Sequence, residues 1–226
     1  MVVAGIAAFP ELADGLTYLA LAGVPILAAL ALAWAIRGAR PWLALVPIPL
    51  FAIAWAVPGT LTGQSAAVVL SALACVALGT LLAAAVPARW LRLAIYAMAI
   101  VDTCLVSADL LQSPNAVLNS AAPAAGLPQL QFAHFGSAVL GFGDLFIAAV
   151  LGALLAGDRR VQLRATGLAA VLGLAFDLLF FFVSLLPATV PVAATLTVLR
   201  ASPRERRVSG SGSPPIAARG PRDAAA

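Results

Sequence analysis

Apolar runs long enough to cross a bilayer recur along this chain, and most of its charge lies outside them. Only 10% of the 226 residues are charged and 63% are hydrophobic, whereas an ordinary soluble domain carries about 25% charged residues. A single water-soluble globule of this size cannot bury so much apolar side chain, so the bilayer must be the solvent for most of it. That excludes a soluble enzyme with a mixed surface, and a nucleic-acid binder despite the net charge of +4. It also excludes a disulfide-stapled secreted module, since there are only two cysteines. Cys75 and Cys104 both lie in apolar runs, where reduced thiols behave as small hydrophobes.

Seven spans are expected, at about 15–36, 41–58, 65–86, 91–112, 132–157, 163–186 and 187–199. All should be helical, because a backbone inside lipid must satisfy its hydrogen bonds within its own segment. The expected fold class is therefore an all-α polytopic membrane protein. Arginines then set the orientation. Arg37 and Arg40 follow the first span, Arg89 and Arg92 the third, Arg159, Arg160 and Arg164 the fifth, and Arg200, Arg204, Arg206 and Arg207 the seventh. The intervening loops, near 59–64 and 113–131, hold none. Every basic loop thus falls on one side, which the positive-inside rule makes cytoplasmic. The N-terminus is then outside and the C-terminus inside. One missed or invented span would scramble this alternation.

All 13 basic residues are arginine, a usage that suits a GC-rich bacterial genome and points to a bacterial plasma membrane. The first 15 residues carry no basic stretch and do not read as a cleaved signal peptide. Four regions are expected: a short external N-terminus at 1–14, three helices over 15–86, a core of four helices over 87–199, and a tail at 200–226. The core is interrupted by an external loop at 113–131, rich in Pro, Asn and Ser. The Arg-rich tail is too polar to pack and is expected to be disordered. Its arginines could alternatively meet anionic lipid headgroups, at about 1 kcal/mol each. No internal repeat suggests a transporter built from two related halves.

Four acidic residues fall within the spans: Asp102, Asp109, Asp144 and Asp177. An Asp at the centre of a spanning helix costs about 2.5–3.5 kcal/mol on insertion scales, so function is the default reading of some of them. If the spans are continuous helices, Asp102 lies about 16 Å from the cytoplasmic edge and Asp144 about 18 Å from the outer edge. Both then sit near the middle of a layer about 30 Å thick, on consecutive antiparallel helices. Asp109 reads as an interfacial residue leading into the polar loop. Asp177 reads as a buried hydrogen-bonded or lumen-facing group ahead of a catalytic one. Around Asp144 the run is Gly141-Phe142-Gly143-Asp144, and glycines so close to the carboxylate let another backbone approach it. Pro187-Ala188-Thr189-Val190-Pro191 opens the last span, where two prolines remove amide donors and loosen the helix start. The lone His134 reads as an interfacial residue ahead of a ligand.

These residues resemble the presenilin and signal peptide peptidase group of GxGD-type intramembrane aspartyl proteases. In that family one Asp lies within a helix, a second belongs to a Gly-x-Gly-Asp motif in the next helix, and a Pro-Ala-Leu motif opens a helix two later. This chain offers Asp102, Gly141 to Asp144, and Pro187-Ala188-Thr189 in the same order. The resemblance covers roughly residues 91–199 and implies a presenilin-like core shortened by two N-terminal helices. The deduced orientation is similar to that of signal peptide peptidase and opposite to that of presenilin. Val101 stands where the family has Tyr, Thr189 where it has Leu, and Asp177 has no counterpart in the family pattern.

The resemblance implies catalysis by an Asp102/Asp144 dyad that activates water, with Gly141, Gly143, Pro187, Ala188 and Thr189 receiving the substrate. Asp109 and Asp177 are secondary candidates. The substrates implied are transmembrane helices or signal peptides, and the family chemistry uses no metal and no organic cofactor. Two other functions fit the intramembrane carboxylates. One is a proton-coupled transporter or channel with the Asp residues as a relay. The other is a catalytically inactive relative that binds membrane helices.

Overall fold

The computed structural model describes residues 10–108, 110, 126–136, 138–181 and 186–201. Asp109, most of the 113–131 loop and nearly all of the Arg-rich tail lie outside the described residues. Helix dominates. In chain order the elements are α1 (Pro10–Leu30, continued by a π turn at Ala31–Ala35), a 3₁₀ turn (Pro41–Leu45), α2 (Pro47–Ala56), α3 (Leu61–Ala85) and α4 (Ala88–Ser107). After the loop come strands β1 (Phe132–Phe135) and β2 (Ala138–Gly141), α5 (Phe142–Leu154), α6 (Arg159–Asp177), a 3₁₀ turn (Leu178–Phe181) and α7 (Val190–Ala201).

Among the described residues three helices are long and apolar enough to cross a membrane: Asp14–Ala35, Leu61–Ala85 and Ala88–Ser107. The seven spans expected from hydropathy are not reproduced. At 1.5 Å per residue α2, α5 and α7 reach only about 15–20 Å, short of a hydrocarbon layer of about 30 Å. Pro41 and Pro47 divide the second run into a 3₁₀ turn and a short helix. The sharpest departure is at 132–157. Residues 132–141 are not helix but an antiparallel hairpin, with Phe132 opposite Gly141 and Phe135 opposite Ala138. Gly136 turns it with φ +62°, the left-handed conformation that two-residue hairpin loops demand. Asp144 therefore lies in the first turn of α5, and its expected place midway along a continuous helix is overturned.

The exterior is apolar. Trp34, Trp42, Trp55 and Trp90 are all more than half exposed, and so are Leu19, Ile26, Ile48, Leu93, Ile100 and Leu174. Water would penalise a surface like that, whereas lipid accepts it.

Inside, two apolar clusters divide the work. Val24 and Ala28 of α1, Ala54 of α2, and Ala66, Ala67, Leu70 and Ala74 of α3 enclose Leu130. Leu91, Ile95 and Ala99 of α4, Ile147, Val150 and Leu151 of α5, and Val192, Ala193 and Leu196 of α7 form the second. Lipid tails are as apolar as leucine, so contact between such helices gains dispersion and not hydrophobic burial. Small residues then matter most, because they let backbones come close. Gly79 shows it: a Cβ there would lie 2.9 Å from the Ala149 carbonyl carbon and 3.0 Å from the Val150 nitrogen. α3 and α5 touch backbone to backbone at this point.

Candidate functional site

The second cluster joins the three helices that carry Asp102, Asp144 and Thr189. Asp102 is on α4, three-quarters of the way along it. Its Oδ2 accepts a hydrogen bond from the Thr189 hydroxyl at 2.7 Å and a second from the Thr189 amide at 3.3 Å. Thr189 is only 2% exposed. It sits at the mouth of α7, where the Val190 amide donates to the Pro187 carbonyl and the Ala193 amide to the Thr189 carbonyl. The first amides of a helix have no partner within it and attract an anion. The Thr189 amide and hydroxyl together give Asp102 such a seat. Pro191 falls in the first turn, where a missing amide costs the helix nothing.

Asp144 is fixed differently. It is the third residue of α5, and its Oδ2 accepts from the Gly141 amide at 3.2 Å, the N-cap position of the same helix. That is one half of a capping box; glycine has no side chain to supply the other. A carboxylate in the first turn also suits the helix dipole. Both aspartates are half-buried, and the Asp102 charge is felt at Asp144.

The two glycines of the motif have different surroundings. A Cβ on Gly141 would meet the Asp144 Oδ2 at 3.2 Å, whereas one on Gly143 would meet nothing within 4 Å. Gly141 keeps the cap tight; Gly143 keeps the space beside the carboxylate open. Pro187 is buried and Ala188 half-buried beside Thr189. A groove of about 360 Å³ runs between α4 and α7 next to these groups, lined among others by Ala99, Ile100, Thr103, Val190 and Ala194. β2 pairs only with β1 among the described residues, which leaves one strand edge unpaired where the chain enters the motif.

Asp177 is not brought to this place. It ends α6 and is exposed, and among the described residues no hydrogen bond or ion pair ties it to either aspartate. Of the two roles expected for it, its exposure fits the lumen-facing one and not the buried one. His134 lies on β1 with its ring edge-on to Phe132 at 6.1 Å. Among the described residues no three His, Cys, Asp or Glu side chains gather as a metal ion would need.

Sequence reading missed the residues that hold the hairpin and α5 in position. Gln64 Oε1 accepts from the Gly136 amide at 2.8 Å, the buried Ser71 hydroxyl donates to the Leu130 carbonyl at 3.2 Å, and the Cys75 thiol lies 3.7 Å from the Phe142 carbonyl oxygen. With Gly79 these lie at intervals of seven, four and four residues, which places them on one helix face. That spacing of small and polar residues was the available signal. Compared with known proteins, the chain matches no family model, no curated protein and no solved structure.

Proposed function

We propose that the chain is an intramembrane aspartyl protease, with Asp102 and Asp144 as its catalytic pair. What supports this reading is the packing of α4, α5 and α7 into one cluster, with Asp102 seated on Thr189 at the start of α7 and Asp144 in the first turn of α5. Two carboxylates sharing a site cannot both ionise cheaply, so the pair holds one proton between them. The charged member takes a proton from a water lying between them as that water attacks the scissile carbonyl carbon. The neutral member gives its proton to the carbonyl oxygen, and a gem-diol forms. Proton transfer to the nitrogen then breaks the C–N bond and releases a carboxyl and an amine.

The substrate is a transmembrane helix or signal peptide, unwound locally so that a peptide bond is exposed. An extended stretch fits beside the unpaired edge of β2, where main-chain hydrogen bonds would hold it, and Gly143 gives it room. The arginine-bearing ends face the cytoplasm. Two contacts support that grouping: Arg89, Arg92 and Arg200 line one cleft, and the Arg37 guanidinium donates to the Ala156 carbonyl just before Arg159.

The test is to incubate purified protein in proteoliposomes with single-span peptides and to identify products by mass. Cleavage is expected from the parent, blocked by a transition-state-analogue aspartyl inhibitor and lost in both Asp102→Ala and Asp144→Ala. Loss in Asp144→Ala alone would replace Asp102 as the partner. No cleavage, with pH-driven proton flux into vesicles, would favour the transporter.

A further inference from the structure

A cleft of about 470 Å³ opens between the start of α4 and the end of α7, lined by Arg89, Trp90, Arg92, Leu93, Tyr96 and Arg200. Three arginines line it from two helices. Among the described residues no carboxylate lines the cleft and none of the three arginines is in an ion pair. Asp158, the acidic residue of the neighbouring turn, is engaged in capping α6 through the Arg160 and Val161 amides. Like charges left to face one another without a counter-ion repel, so the cleft is built to receive an anion.

The rim says which kind. Trp90 and Leu93 are 54% and 56% exposed, and the Arg89 guanidinium stands 5.7 Å from the Trp90 ring centroid, close enough for a cation–π contact. An amphipathic ring and an exposed leucine beside charged groups suit the headgroup level of a bilayer, where one end of the ligand is wet and the other is apolar. Arginine's planar fork matches phosphate oxygens two at a time.

We infer that this cleft binds the phosphate of an anionic glycerophospholipid, with Arg92 and Arg200 on the phosphate, Arg89 completing the charge, and the acyl chains lying against Leu93. The phosphate bridges α4 to α7. The same two helices are joined further along by the Tyr96 and Thr197 hydroxyls at 3.1 Å, and then by Asp102 and Thr189. The bound lipid therefore clamps the end of the seam opposite Asp102, about 20 Å away along α4. The site does not depend on the protease reading, and its test reads binding alone.

The full-length protein in neutral detergent is titrated with phosphatidylglycerol, with phosphatidylcholine and with inorganic phosphate, and retained lipid is counted by native mass spectrometry. One saturable phosphatidylglycerol per chain is expected, in preference to phosphatidylcholine and resistant to millimolar inorganic phosphate. Each arginine near an anionic surface contributes about five-fold, so Arg92→Gln with Arg200→Gln should weaken retention about 30-fold. Arg159→Gln with Arg160→Gln, outside the cleft, should leave it unchanged, and helix content by circular dichroism must match in all variants. Equal retention of the two lipids, or undiminished retention by the Arg92/Arg200 variant, would overturn the site. Displacement of the lipid by inorganic phosphate would overturn the lipid as the ligand. If the Arg92/Arg200 variant loses its helix content, Arg92→Gln alone decides: about five-fold weaker phosphatidylglycerol retention at parental helix content supports the site, and undiminished retention contradicts it.

Discussion

The seam between α3 and α5 and the seam between α4 and α7 are both helix contacts in an apolar chain, yet they are built on opposite plans. At Gly79 the α3–α5 seam is closed by bare backbone contact, and the polar groups along α3 serve to hold the hairpin and the first turn of α5. The α4–α7 seam carries two hydrogen-bonded pairs, Asp102 with Thr189 and Tyr96 with Thr197, and has open clefts beside each. Close packing gives an element with little freedom to shift. A seam held by a few polar contacts and bordered by space can admit another molecule. The first plan fixes Asp144, and the second presents Asp102 to whatever enters.

Substitutions that swap the two plans should have graded effects. The largest is expected at Gly79. Any side chain there must push the Ala149 backbone away, and overpacking typically costs about 1–3 kcal/mol. Gly79→Leu should exceed that, lowering unfolding stability in bicelles and abolishing cleavage together. A Gly79→Leu protein of parental stability would show that the seam yields.

Thr189→Val comes next. It keeps the shape but removes the hydroxyl from Asp102, and a hydrogen bond to a charged group is worth about 1.5–3 kcal/mol. Unfolding stability should fall by about 1.5–3 kcal/mol and turnover of a single-span peptide about 10- to 100-fold, and Thr189→Ser should restore both. Thr189→Leu would keep the amide contact alone and is expected to behave like the Val variant. The smaller contrast is within the motif. Gly143→Ala meets nothing in the chain and should leave stability intact while raising KM. Gly141→Ala presses on the Asp144 carboxylate and should lower kcat. The smallest effect belongs to Tyr96→Phe, which removes one exposed hydroxyl pair worth about 0.5–1.5 kcal/mol and should change unfolding stability by no more than that.

Much of this was legible in the sequence. Its apolar runs and scarce charge gave the helical character but led to seven expected spans where three helices of spanning length are found among the described residues. Asp102, the Gly141–Asp144 motif and Pro187–Thr189 were singled out by chemistry that apolar helices rarely tolerate. The hairpin was hidden because Phe132–Leu140 is a short, largely apolar run, and such a run reads equally well as helix or strand. The contact of Thr189 with Asp102 was hidden for a different reason. Measured against the Leu of the family pattern it looked like a departure, and only a contact across 87 positions of sequence makes it the partner of Asp102. Gly79 was passed over as one more small residue, since its value depends on Ala149, which no local periodicity connects to it.

Whether Asp102 and Asp144 work as one unit can be read from the kinetics of Asp102→Asn, Asp144→Asn and the double variant on one peptide, in one lipid, with folding checked by circular dichroism. Groups that share a proton fail together, so each single variant should lose about 10³-fold or more and the double variant no more than either alone. Losses that multiply, or a single variant that keeps most of the parental rate, would mean that the two carboxylates act separately and that no dyad exists.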